Sequence, residues 1–229
     1  MIDTKINPIH TKPNFKDSLN LPDSPTSTQF RRIKIHPKFN ECNTLHLTTL
    51  IADMFTILIN YNDKLPQAQL VTPFQSQSIP NISIHKYISR MVKYLRLEKS
   101  VLLMIPIYAD RLCHKYPSFV ISSLTIHRFV LTCITIAVKC ISDDYPTSKF
   151  IAKVGGISLK ELNFLEIELC KLLDWNLSFN GRNIQNYYMN LIECNSNYVI
   201  DPLMETNDSG DQVVDTSDRL EYEQSCIIS

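Results

Sequence analysis

Glycine is scarce in this chain, with four in 229 residues. The phosphate-cradling loops GxxxxGK[ST] and GxGxxG are absent, as are the catalytic signatures HExxH and GxSxG. No apolar run approaches the roughly 20 residues of a membrane span, and the N-terminus MIDTKINPIH lacks the apolar stretch of a secretory signal. Formal net charge is zero, which gives little support to nucleic-acid binding, where basic charge is usually concentrated on one face. Seven cysteines are an odd number with no CxxC pair, which excludes a common zinc framework and suits reduced structural thiols in an intracellular protein.

Charge is unevenly spread. Residues 1–43 carry seven basic and four acidic side chains, 44–200 fifteen and eleven, and 201–229 one and eight. The acidic tail is open to a basic partner or serves solubility. The six histidines are scattered without ligand spacing. Cys113 and His114 are adjacent and point apart on a helix, and Glu166 and Glu168, two residues apart, do likewise. The residues therefore predict no enzyme, no metal and no cofactor.

Hydrophobic content of 44% is ample for one core, and the apolar positions recur with helical period. Residues 1–43 hold five of the twelve prolines and no helical period, which predicts a disordered or loosely docked arm. Ser24-Pro25 in that arm is a candidate proline-directed phosphorylation site. A helix is expected from Leu45 to Asn60, then a proline-punctuated loop over 61–79. Further helices are expected over Ile84–Leu97 and over Lys99–Tyr116, where Pro106 predicts a bend or a misplaced boundary. Another runs over Thr125–Ile141, on whose apolar face Ile126, Phe129, Val130, Cys133, Ile136, Ala137, Cys140 and Ile141 recur. Thr147 caps a short helix stopped by Gly155 and Gly156. Ser158 opens the next with Glu161 three residues on, an S-x-x-E capping box, and a last short helix covers Gly181–Glu193. From Asn195 the polar, acidic chain predicts little order.

The run HRFVLTCITIAVKCISDDY, then AKVGG at 152–156 and ELNFLE at 161–166, resembles the cyclin box of the PHO-type (P/U-type) cyclins. With PNISIHKYISRM and YADRL upstream, the resemblance covers residues 80–180, about half the chain. It implies an all-α fold: a single five-helix cyclin box over 80–194, with the short C-terminal helix included, an extra N-terminal helix at 44–60, and flexible termini at 1–43 and 195–229. It also implies roles. Lys139 and Glu166 match the lysine and glutamate with which cyclins hydrogen-bond the start of a kinase's C-helix. Asp143, in the turn after Lys139, is placed to meet a basic side chain of the kinase, or simply forms the turn. Asp110 matches a carboxylate that pairs with an arginine of the first box helix, here Arg90, as a structural salt bridge. His127 and Arg128 match the family's HR. The MRAIL patch of cell-cycle cyclins is missing, SRMVKYL standing in its place.

The expectation is a non-catalytic regulatory subunit that forms a heterodimer with a cyclin-dependent serine/threonine kinase in nutrient or phosphate signalling or the cell cycle, in nucleus or cytoplasm. No nucleic acid, membrane, small-molecule substrate or cofactor is expected. The rivals are a kinase-independent cyclin-fold scaffold and a transcription-associated binding protein.

Overall fold

The helix boundaries follow from local capping chemistry. In the computed structural model, which describes residues 32–65 and 72–204, α1 (Thr44–Asn62) starts where the Asn43 side chain accepts from the Leu45 N–H at 2.8 Å. Ser83 opens α2 (Ile84–Leu95) by accepting from the Lys86 N–H. Thr147 does the same for α5 (Ser148–Gly155) through the Phe150 N–H, and Ser158 for α6 (Leu159–Leu172) through the Glu161 N–H. Each such cap satisfies a donor that the first helical turn leaves unpaired.

Three further helices complete the bundle: α3 (Lys99–Lys115), α4 (Ile126–Ile141) and α7 (Gly181–Glu193). Pro106 does not end α3; the helix runs through it as one element, with the proline buried. Its carbonyl accepts from the Tyr187 hydroxyl at 3.3 Å, which ties α3 to α7. Helix α4 is buried from Ile126 to Val138 apart from Arg128, because it packs against α2, α3, α5 and α6. The five-helix box is α2 to α6, with α1 and α7 on its flank, and the all-α expectation holds.

Both ends of the box carry more structure than their composition suggests. Residues 33–35 form β1, paired in parallel with β2 (Tyr198–Ile200). Lys34 meets Asp201 at 3.3 Å. The chain between β1 and α1 is held by Gln185, whose side chain donates to the Pro37 carbonyl and accepts from the Phe39 N–H, and by the Tyr188 hydroxyl on the His36 carbonyl. The expected disordered arm is therefore docked from residue 32, and the expected tail is ordered through β2 and a 3-10 turn at Pro202–Met204. Ser24 lies outside the described residues. So does much of the expected loop, but residues 72–80 are pinned because Phe74 is fully buried edge-on to Phe119 and Phe129.

The AKVGG motif has two separate reasons for its glycines. Gly156 ends α5 at φ 81°, in the left-handed region. Gly155 instead allows close approach: a Cβ there would stand 2.2 Å from Leu131 Cδ2 on α4, while its carbonyl accepts from the buried Tyr87 hydroxyl of α2 at 3.1 Å. Gly155→Ala should cost about 1–3 kcal/mol by overpacking and Gly156→Ala about 1–2 kcal/mol by backbone strain. Urea denaturation of both variants checks this, with a loss at Gly156 alone counting against the close-approach reading.

Candidate functional site

Lys139 and Glu166 start on different helices and are brought together by tertiary packing. Lys139 sits in the last turn of α4 and Glu166 midway along α6, and Lys139 Nζ lies 2.6 Å from Glu166 Oε1. The Lys139 side chain is 32% exposed and that of Glu166 13%, so the pair stands at the rim where two packed helices meet solvent. Cys170, one turn on from Glu166, has its thiol pushed up by burial and by that carboxylate.

Helices α5 and α6 also expose large apolar side chains. Phe150 on α5 and Ile167 on α6 are exposed, as is Phe164 one turn earlier. Beyond the end of α6, Trp175 is 66% exposed, and both it and Asp174 take left-handed backbone, at φ 58° and 48°. That strain is held in place from α3. Arg111 donates to the Asn176 and Ser178 carbonyls at 2.9 and 2.8 Å, the Tyr108 hydroxyl to the Leu177 carbonyl at 3.0 Å, and Lys115 pairs with Asp174. Sequence reasoning missed Trp175 because two consecutive left-handed non-glycine residues have no local signature; its being the only tryptophan was the available signal.

Asp143 lies exposed in the turn after α4 and makes no ion pair with a described residue. The preceding Ser142 hydroxyl is held by Glu98 at 3.0 Å.

The expected Arg90–Asp110 salt bridge does not form. Helix α2, which carries Arg90, packs against α1, α4 and α5, whereas α3, which carries Asp110, packs mainly on α1, α4 and α7. Arg90 instead lies over the Tyr87 ring, 5.1 Å from its centroid. Desolvation raises the Asp110 carboxyl above its ordinary value, opposed by His114 one turn on.

The HR pair is structural. Arg128 donates to the Gln75 carbonyl at 2.6 Å and meets Glu161 Oε1 at 2.6 Å, so Glu161 serves α4 and the capping box is completed only by Ser158. His127 is buried beside Tyr87, and its Nε2–H donates to the Ile82 carbonyl at 2.8 Å. Among the described residues no three His, Cys, Asp or Glu side chains converge as metal ligands, and no helix is long and apolar enough to cross a membrane.

A family model described as Cyclin matches residues 22–177. The chain belongs to the cyclin family. Among its curated relatives it is 34% identical over 184 residues to the Nuc-1 negative regulatory protein preg of Neurospora crassa, covering 79% of this chain and 38% of that one. It is 38% identical over 151 residues to the PHO85 cyclin PHO80 of Saccharomyces cerevisiae, covering 64% and 52%. It is 33% identical over 156 residues to Cyclin-U1-1 of Arabidopsis thaliana, covering 66% and 74%. These relatives make it a P/U-type cyclin. The matched part of this cyclin spans 38% and 52% of the lengths of the first two.

Burial lowers the His127 pKa, with the Ile82 carbonyl partly opposing it. Below the ordinary histidine value of about 6.5 the unfolded chain binds a proton that the folded cyclin refuses, so stability should fall as pH drops through that range and level off above it. Thermal denaturation from pH 7.5 to 5 checks the sign. His127→Gln should flatten the dependence between about pH 5 and 6.5; an unchanged slope would assign it to other groups.

Proposed function

We propose that this cyclin is the regulatory subunit of a cyclin-dependent serine/threonine kinase and docks on the kinase's C-helix through the rim between α4 and α6. The observation that carries the reading is the Lys139–Glu166 pair at 2.6 Å, held across the contact of α4 and α6; Phe150 on α5, Ile167 on α6 and Trp175 just beyond α6 are exposed apolar side chains. The name of one relative makes it a cyclin of PHO85, and another is a PHO85 cyclin-like protein. Both support a kinase partner.

The chemistry follows from what a helix end lacks. The first N–H groups and last carbonyls of a helix have no intrahelical partner. A carboxylate and an ammonium fixed side by side offer such an end an acceptor and several donors, and hydrogen bonds to charged groups are the strong kind. Pairing in the free protein keeps both side chains in place before the partner arrives, which lowers the ordering entropy of docking. The apolar side chains contribute most of the affinity, with Trp175 as the large anchor. Asp143 adds a solvent-facing charge that meets a basic side chain of the kinase and biases orientation.

A kinase needs its C-helix glutamate paired with the ATP-positioning lysine. A rigid helical surface that binds only the inward position of that helix shifts the kinase toward its active state, by as much as its affinities for the two positions differ. The cyclin supplies no catalytic group. Cys42, Cys113, Cys133, Cys140 and Cys170 carry free thiols, which fits a reducing intracellular compartment and the proposed nuclear or cytoplasmic location. Nutrient or phosphate signalling and the cell cycle are the proposed settings.

The test is affinity capture of tagged protein from its own cells, followed by protein identification and a kinase assay. Wild type should bring down an active proline-directed kinase, and Lys139→Glu/Glu166→Lys should lose it while melting within a few degrees of wild type, since the exchange keeps opposite charges facing each other across the α4–α6 contact. Trp175→Ala should weaken capture about ten-fold or more. Equal capture by all three proteins would remove the rim as the docking site.

A further inference from the structure

The face built by α2 and α5 has a one-signed charge. Helix α2 exposes Lys86 and Lys93 on either side of half-buried Arg90, at positions one turn apart along one stripe. Helix α5 exposes Lys149 and Lys153, also one turn apart, and Lys160 follows in the first turn of α6. The two helices touch, and neither contains an aspartate or glutamate. Arg90 bridges them: its Nη2 reaches to 3.9 Å from where a Cβ on Gly156 would stand, and its buried Nε–H has no acceptor.

Among the described residues none of these six cations is in an ion pair, whereas Asp53, Glu161, Glu166, Glu168 and Asp201 pair with lysine, arginine or histidine elsewhere. Glu161, at the edge of the face, is committed to Arg128. Six unpaired positive charges on one surface repel one another and favour an anionic occupant.

We propose that this face is the docking surface for the chain's own acidic C-terminal segment, residues 205–229. That segment holds seven carboxylates against the single cation Arg219. The described chain runs to Met204, after β2; before β2, Asn195 donates to Asp53 Oδ2 at 3.0 Å, and Asp53 Oδ1 lies 2.7 Å from His85 Nε2 in the first turn of α2. Twenty-five residues at about 3.3 Å each span up to about 80 Å, against about 18 Å for the length of α2, so reach is not limiting. An intramolecular partner acts at a high effective concentration.

The test uses the full chain and a zero-length carbodiimide, which joins a lysine to a carboxylate in contact, followed by peptide mass mapping. At about 20 mM salt, crosslinks should join Lys86, Lys93 or Lys153 to carboxylates of 205–229 within one monomer, and they should fall several-fold at about 500 mM, where screening is short-ranged. In a second protein the seven tail carboxylates are changed to amides. This opens the face, and a synthetic 205–229 peptide should bind it in trans. Adding Lys86→Gln/Lys93→Gln/Lys153→Gln, with the circular dichroism melt unchanged, should weaken that binding at least ten-fold. Crosslinks scattered evenly over all lysines, crosslinks found only in a dimer band, or peptide binding untouched by the lysine changes would each overturn the proposal.

Discussion

The constraint on which the rest of the structure depends is the burial of α4 on nearly every side. A helix with Phe129, Val130, Cys133, Ile134 and Ala137 in the dry interior has no solvated face to relax toward, so α2, α3, α5 and α6 must close around it. The closeness of that packing appears at Leu131, whose side chain meets the backbone of Gly155. Helices pressed to this distance transmit position rather than absorb it. The polar positions of α4 are satisfied within the helix: the buried hydroxyls of Thr132 and Thr135 donate to the carbonyls of Arg128 and Leu131, each at 2.7 Å.

That rigidity is what gives the Lys139–Glu166 pair meaning. Two long charged side chains on a loose scaffold would sample many geometries, and the entropy of holding them would cancel their attraction. Here α4 and α6 are both fixed by the core, and the pair forms across their contact. The same logic holds at Trp175. Two left-handed residues in succession are unfavourable, and they persist because three side chains from α3 bind the loop's carbonyls and Asp174. The geometry of the α4–α6 rim is thus an output of the core.

Much of this was legible from local chemistry. The helical period of α1, α2, α4 and α7 and the caps at Thr147, Ser158 and Gly156 are properties of a few neighbouring residues, and these elements appear where their patterns place them. The errors have a shared cause. The Arg90–Asp110 pair, the reach of Glu161 back to its own cap and the disorder of residues 32–43 and 195–204 were all judgements about which group lies nearest across space. Arg90 turned to Tyr87 and Gly156 because α5 was closer than Asp110. Glu161 turned to Arg128 because a half-buried guanidinium offered more than the Ser158 N–H. The polar ends of the chain became ordered because each supplied a strand to the other.

The sequence by itself determined the helices, their caps and stops, because periodicity and capping act over a few residues; Lys139 and Glu166 were singled out by the family resemblance. Only the tertiary structure decided that β1 and β2 pair across more than a hundred and fifty residues, that Gly155 marks a helix contact rather than a turn, and that Trp175 stands exposed on a strained loop. It also decided that α2 and α5, neither of which contains an aspartate or glutamate, pack against each other. Those outcomes depend on distances between residues far apart in the chain, and such distances exist only once the core has closed.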